Sequence, residues 1–383
     1  MSNNSGGAIE NAKNIWGQIK NFNERVILYY IIPFVCAFII AWGIYKTVRI
    51  LNLQKNQCSL MEQAYNKNNS YITSINENTH TYKLCDYYIK SAYNACSGGD
   101  YKNDYVNLCN LKSIIKTGAR CFDFEVYSFE DEPIVSTSTT KDFFIKETFN
   151  YVKFSDALAT INDRAFSEPS NYEDPVIIHM RIKSTNPKIY DKLGDLFRGY
   201  ASDTAGHLLG SEYSYASKNI GDLPLITFKN KIIVIVDGDI SNQSYVDTKF
   251  HEYINLVSNV SDNVWLLRYS TDVVNAPDLN DLIEHNRNRM AIVLPDMGMD
   301  PVNPSSAFCR AAGCQMTAMR YQRLQDEFLE IDHLNFDKCK SAFDLKPASL
   351  RSKPVEQINV VKQREELSYE TREVSTDFYK FNI

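Results

Sequence analysis

Pro175-Val-Ile-Ile-His-Met-Arg-Ile182 reads as a buried strand with two polar side chains, His179 and Arg181, on one face, because side chains alternate along a strand. Upstream, Gly118-Ala-Arg-Cys-Phe-Asp-Phe-Glu125 ends the same way, with Asp123 and Glu125 sharing a face. Between them, Phe154–Ala165 (FSDALATINDRA) places apolar residues at 154, 157, 158, 161 and 165, the spacing of a helix packed on one side. Strand, helix and strand in that order predict a parallel α/β sheet. Working outward, strands are expected at Tyr71–Ile75, Cys121–Tyr127, Pro133–Ser138, Pro175–Ile182, Lys231–Val236, Val264–Tyr269, Met290–Leu294 and Cys314–Arg320. Helices are expected at Leu111–Thr117, Ile189–Phe197, Lys249–Val257 and Leu279–Asn286. Eight strands with helix-length crossovers predict a closed α/β barrel.

The 383 residues are 44% apolar and 23% charged, which excludes wholesale disorder, and the formal net charge of −6 leaves no global basic field for nucleic acid. Val26–Tyr45 carries no charge and is flanked by Arg25 and Lys46, enough to span the ~30 Å hydrocarbon core as one helix. Tyr29, Tyr30, Trp42 and Tyr45 lie toward its ends, where aromatic rings favour the headgroup region. The expected order is a short segment 1–25, a single transmembrane helix 26–45, a polar linker 46–69, the barrel 70–351 and a tail 352–383. Lysines and arginines flank both ends of the anchor, so charge does not orient it. Cys36 lies in the anchor, and Cys58, Cys85, Cys96, Cys109, Cys121, Cys309, Cys314 and Cys339 follow it, an even set pointing to disulfides. With glycosylation triplets starting at Asn68, Asn242 and Asn259, this leans toward a lumenal or external barrel.

Several strings resemble, in order and spacing, eukaryotic phosphoinositide-specific phospholipase C. Tyr71-Ile-Thr-Ser-Ile-Asn-Glu-Asn-Thr79, Gly118–Glu125, Pro133-Ile-Val-Ser-Thr-Ser-Thr139 and Phe154-Ser-Asp-Ala-Leu158 are similar to its X half. Gly313-Cys-Gln-Met316, Gln322, Leu345-Lys-Pro347 and Leu350-Arg351 are similar to the end of its Y half. The resemblance implies a TIM-type barrel with its site at the carboxyl ends of the strands, cleaving a phosphodiester to release diacylglycerol and an inositol phosphate. It also implies a histidine in an S-H-N-T-Y string, a second in H-G-H-T, and Ca²⁺ held by an Asn, two acids of an E-L-D string and a further Glu.

This sequence departs from the pattern at those places. Aligning Asn78-Thr79 with the family's N-T puts Glu77 at the first histidine, and aligning Pro133-Ile-Val puts Thr139 at the second. Asn78, Asp123 and Glu125 keep the type of calcium ligands, while Arg181 replaces the fourth. Substrate-binding lysines correspond to Ile235 and Asp237, and the Arg and Tyr of an R-I-Y-P string to Ile292 and Leu294; Ser270 matches the sixth-strand serine. No cofactor is therefore expected, although Ca²⁺ is the ion the resemblance implies. Arg181 either pairs with Asp123 and Glu125 in place of that ion or forms an ordinary structural salt bridge. His80 and His179 fall nearest the expected mouth, but His80 lies three residues past the family position and His179, facing inward, reads first as a core histidine.

Three functions follow: a membrane-tethered pseudoenzyme serving as scaffold or binding module, a calcium-independent phosphodiesterase using Glu77 as base with Arg181, or a structural membrane protein of a large virus particle. The expected partners are the membrane, through the N-terminal helix, and a phospholipid headgroup or a protein.

Overall fold

A computed structural model describes residues 5–66, 71–141, 144–201, 206–238, 245–258, 264–353 and 371–382. Eight parallel strands close a barrel among them: β1 (Tyr87–Ala92), β2 (Cys121–Phe129), β5 (Val176–Lys183), β6 (Ile232–Asp237), β7 (Leu256–Ser258), β8 (Val264–Arg268), β9 (Met290–Leu294) and β10 (Met316–Met319). β1 pairs with both β2 and β10, which completes the ring. The fold is the TIM-type barrel. Strand β6 is buried on both faces and so reads as an apolar run: Ile233 and Ile235 face the interior cluster, while Ile232, Val234 and Val236 face the helices. Asn107 caps helix α3 (Leu108–Lys116) by accepting from the amides of Cys109 and Asn110, and Gly118 at φ 78° turns the chain from α3 into β2. Helix α4 (Phe154–Ala165) has both bounds that its spacing predicts.

Two expected strands are not staves of the barrel. Pro133–Ser138 lies in β3 (Glu132–Ser136), which pairs antiparallel with β2 and with β4 (Val152–Lys153). Its connection from β2 is the two-residue turn Glu130-Asp131, both at positive φ, and no parallel crossover is that short. Tyr71–Ile75 forms no strand; its amides bond to residues before β5 and after α8 (Glu327–Cys339), as Ile75 N donates to Asp174 (2.6 Å) and Thr73 N to the Lys340 carbonyl (2.9 Å). It therefore lies across the N-terminal end of the barrel. The staves not expected are β1 and the three-residue β7, the latter taking the last two residues of what reads as helix Lys249–Val257, where the only helical turn is a short 3-10 turn at His251–Tyr253. Helices α5 (Pro187–Ala201), α6 (Leu279–Asn288) and α7 (Ser306–Ala311) and strand β11 (Phe343–Leu345), antiparallel to β1, complete the first unit, residues 1–352. In residues 353–383, β12 (Glu373–Ser375) and β13 (Lys380–Asn382) form a hairpin.

The expected linker 46–69 is helical as far as Tyr65. Helix α1 (Ser5–Val26) leads through a π turn, Ile27–Ile31, into α2 (Ile32–Tyr65). The physical reason is that residues 46–65 contain neither Gly nor Pro, while Gln57, Met61 and Tyr65 form an i, i+4, i+8 stripe that is buried. The span beginning at Leu28 is long and apolar enough to cross a membrane. A disulfide, Cys58–Cys109, joins α2 to α3, with Cα atoms 5.6 Å apart. The remaining cysteines are free, and Cys85, Cys96, Cys121, Cys309 and Cys314 are buried, so the even count does not translate into a set of bridges. The three glycosylation triplets lie outside the described residues.

Candidate functional site

The register of β2 against β5 sets Cys121 beside Ile177, Asp123 beside His179, Glu125 beside Arg181 and Tyr127 beside Lys183. Alternation turns all of these inward, apolar at the N-terminal level and charged toward the C-terminal mouth. Arg181 is at the centre, fully buried. Its Nε donates to Asp123 Oδ1 (2.9 Å), Nη2 to Asp123 Oδ2 (2.6 Å) and to Asn94 Oδ1 (3.0 Å), and Nη1 to Glu125 Oε1 (2.8 Å). The planar guanidinium suits this, presenting donors in fixed directions to two carboxylates at once.

The remaining carboxylate oxygens are also engaged. His179 Nδ1 lies 2.7 Å from Asp123 Oδ1, and since an ionised carboxylate only accepts, Nδ1 carries the proton. Glu125 Oε2 accepts from the Tyr127 hydroxyl (2.6 Å) and Ser138 N (3.0 Å), with Lys183 Nζ at 3.2 Å. Burial pushes the Asp123 carboxyl up, but Arg181 and His179 outweigh it and hold the group below the ordinary carboxylate range. Glu125 follows the same pattern: burial raises it, and Arg181 and Lys183 bring it below its ordinary value. Burial lowers Lys183, against the pull of Glu125. The Tyr93 ring covers the guanidinium, 4.8 Å from Arg181 Cζ, and packs edge-on to Tyr101 at 5.4 Å.

Of the residues expected from sequence, the structure brings Asp123, Glu125 and Arg181 together. Asn78 and Glu77 stand elsewhere: they are exposed in a turn at the opposite end of the barrel, where Asn78 N donates to Asn76 and His80 packs on Tyr87. The asparagine that reaches the carboxylates is Asn94, just past β1, with N to Asp123 Oδ2 at 3.1 Å. Its left-handed backbone, φ 43°, is one that asparagine tolerates. Thr139 turns away, its amide and hydroxyl donating to Glu147 at 2.7 and 2.6 Å, and the β3–β4 loop contributes Ser138 instead. Ser270 is engaged by Asp296 through both its amide and its hydroxyl. Ile235, Ile292 and Leu294 are buried in the interior, and Asp237 is buried 3.3 Å from the Ser258 hydroxyl. The signal that finds Tyr93-Asn94 is Tyr87-Tyr-Ile-Lys-Ser-Ala92, a buried strand interrupted only by Lys90, whose ammonium donates to the Thr117 carbonyl (2.9 Å).

A divalent cation of the family's kind needs free oxygen ligands. The residues present do not fit one, because a guanidinium already fills the space between the two carboxylates. Among the described residues no group of three or more His, Cys, Asp or Glu is arranged to hold a metal ion.

Residues 80–204 match the family model described as phosphatidylinositol-specific phospholipase C, X domain. That stretch of the chain is similar to a phospholipase C X domain. The match begins beyond Tyr71–Thr79, the string on which the Glu77 alignment rests. The crystal structure of PLC21 from L. pealei superposes with a TM-score of 0.56 at 16% identity, over 72% of this chain and 38% of that one. PLC21 from S. officinalis gives 0.55 at 16% identity with the same coverage. This likeness shows the fold, and the chain spans well under half the length of those proteins. No curated protein matches it by sequence.

Proposed function

We propose that the protein is a membrane-anchored phospholipase-C-like barrel without hydrolytic activity, serving as a scaffold or binding module. The observation that carries this reading is Arg181, a buried cation bonded to both carboxylates that the family uses for calcium. It supplies the positive charge permanently and leaves no ligand position for Ca²⁺ to polarise a substrate hydroxyl. In this reading Tyr93-Asn94 replaces the family's His-Asn pair, so no imidazole stands there to meet a phosphoryl oxygen. The place of Glu77 at the other end of the barrel speaks against it as an alternative base.

The apolar part of α2 is the anchor, and Cys58–Cys109 favours a barrel on the oxidising, lumenal or external, side. The test uses the full chain in lipid nanodiscs containing phosphatidylinositol and its phosphorylated forms, with and without Ca²⁺. No turnover and no calcium-dependent shift in melting temperature are expected, while Arg181→Glu should gain such a shift by adding a carboxylate and removing the cation. Turnover by the parent protein that is lost in His179→Gln would overturn the proposal. It would then favour a calcium-independent phosphodiesterase built on the His179–Asp123 pair, whose Nε2 has no hydrogen-bond partner among the described residues.

A further inference from the structure

Helix α1 has two unlike faces. At the ~100° per residue of an α-helix, Ala12, Ile15, Trp16 and Val26 fall within one arc of roughly 100°, while Glu10, Lys13, Lys20 and Arg25 occupy a separate arc of roughly 140°. Ile15 and Trp16 are 56 and 73% exposed, so no described residue covers the apolar arc. Lys13 and Lys20 stand about one turn before and one turn after Trp16, on the border between the two arcs.

The barrel is out of reach of this face. Helix α2 is fastened to it through Gln57, Cys58, Met61 and Tyr65, and about thirty residues of helix, roughly 45 Å, separate Gln57 from Val26. The uncharged run between them starts at Val26, the last residue of α1. Helix α1 therefore begins where the hydrocarbon core ends, on the side away from the barrel. Its charged arc keeps it out of the core, and its apolar arc is costly to leave in water, so a helix of this kind settles at the boundary between the two. The joint that lets α1 leave the axis of α2 is also present. Pro33 has no amide to give the Tyr29 carbonyl and its ring crowds that carbonyl, so the regular ladder fails there and the π turn Ile27–Ile31 takes its place.

We infer that α1 lies in the interface of the leaflet opposite the barrel, with Ala12, Ile15 and Trp16 among the lipid chains just below the headgroups and Lys13 and Lys20 reaching the phosphates, a second, in-plane attachment beside the span. The inference rests on the reading of α2 as a membrane span. The occupant of the apolar arc is lipid rather than a protein, because the bilayer that takes up Val26 is already at the end of α1, tethered at an effective concentration that a dissolved partner does not match. The two border lysines fit this surface, since their stems lie along apolar chains while their ammonium groups stay at phosphate level.

The experiment places one nitroxide label at a time in the full chain carrying Cys36→Ser and Cys339→Ser, the two exposed free thiols. The labelled positions are Ala12→Cys, Ile15→Cys and Trp16→Cys on one arc, and Glu10→Cys, Asn14→Cys and Gly17→Cys on the other. In nanodiscs of phosphatidylcholine and phosphatidylglycerol, collision with oxygen, which concentrates in lipid, is compared with collision with a water-soluble nickel chelate. The ratio of oxygen to nickel collision should be several-fold higher at 12, 15 and 16 than at 10, 14 and 17. A low ratio at all six positions places α1 in water, and weak collision with both probes at 12, 15 and 16 places a protein against that face; either result overturns the proposal. A label at Ile39→Cys, within the uncharged run, keeps the two readings apart: oxygen-rich collision at 39 with a flat profile over α1 sinks only the interfacial helix, whereas nickel access at 39 sinks the anchor and the inference with it.

Discussion

At the C-terminal end of the barrel a buried guanidinium stands 2.6–2.9 Å from two carboxylates; at the N-terminal end another buried pair, Arg120 and Asp174, stands at 3.9 Å. Arg120 spends its donors on the carbonyls of Ala165 and Asn171, while Asp174 accepts from Ile75 N and from Asn171 Nδ2 (2.8 Å). Burial therefore wins at Asp174 and pushes its carboxyl up to about 6 despite Arg120, whereas the Arg181 contacts win at Asp123 and Glu125 and push them down. Equal burial with opposite outcomes shows that direct contact, not the mere presence of a cation, decides which way a buried carboxyl shifts. The N-terminal pair seats the 72–75 segment across the barrel floor. The C-terminal cluster is a closed ion network at the mouth of the barrel.

The comparison breaks most visibly at Arg181. Arg181→Ala leaves two carboxylates buried without their cation and should cost about 3–5 kcal/mol, read as the shift in the urea midpoint of the full chain in detergent. A loss below about 1 kcal/mol would mean that Lys183 and water satisfy the cluster and that Arg181 is dispensable.

A smaller effect separates the two ends by pH. Asp174 has a folded pKa above its unfolded value, so its ionised form opposes folding near pH 7 and that penalty fades as pH falls through about 6 toward 4. Asp123 and Glu125 have depressed folded pKa values, so their contribution is complete above the unfolded range and is lost only as pH falls below about 4. Asp174→Asn should therefore gain stability relative to the parent at pH 7 and lose that advantage by pH 4.5, whereas a pH-independent difference would show that Asp174 is not the titrating group. The difference between the two proteins is the quantity to follow, because His333, pushed down to about 3 by burial and Lys90, drives the parent's own profile the opposite way.

Much of the C-terminal network is readable from strand alternation alone: Asp123 with Glu125, and His179 with Arg181, are fixed to one face before any pairing is known. Staves β6 and β9 are apolar runs, and β2 and β5 alternate an apolar face with the charged one, so each carries its own signal. Strand β1 does not, since Lys90 breaks its pattern and Tyr71–Ile75 has the cleaner alternation; only the pairing of Ile89 with Met316 and Ser91 with Cys121 decides between them. That one choice moves the asparagine of the site from Asn78 to Asn94. Strand β7 is too short to show a period. The antiparallel turn of β3 was in principle legible, because the few residues between Tyr127 and Pro133 cannot hold a crossover.

The finest test of the contrast is Ile177→Val, one level below His179 on the inner face of β5, where Ile177 packs beside Cys121 and Ile233. Removing one methylene there should cost about 0.5–1.5 kcal/mol and leave the pH profile unchanged. Ile177 and Arg181 are four residues apart on one strand, roughly 13 Å, so if the apolar floor and the charged mouth are independent layers the double variant with Arg181→Ala should add within about 0.5 kcal/mol. A larger coupling would mean that the ion network strains the packing beneath it, and the mouth would then be part of what holds the barrel closed rather than a network resting on a self-sufficient core.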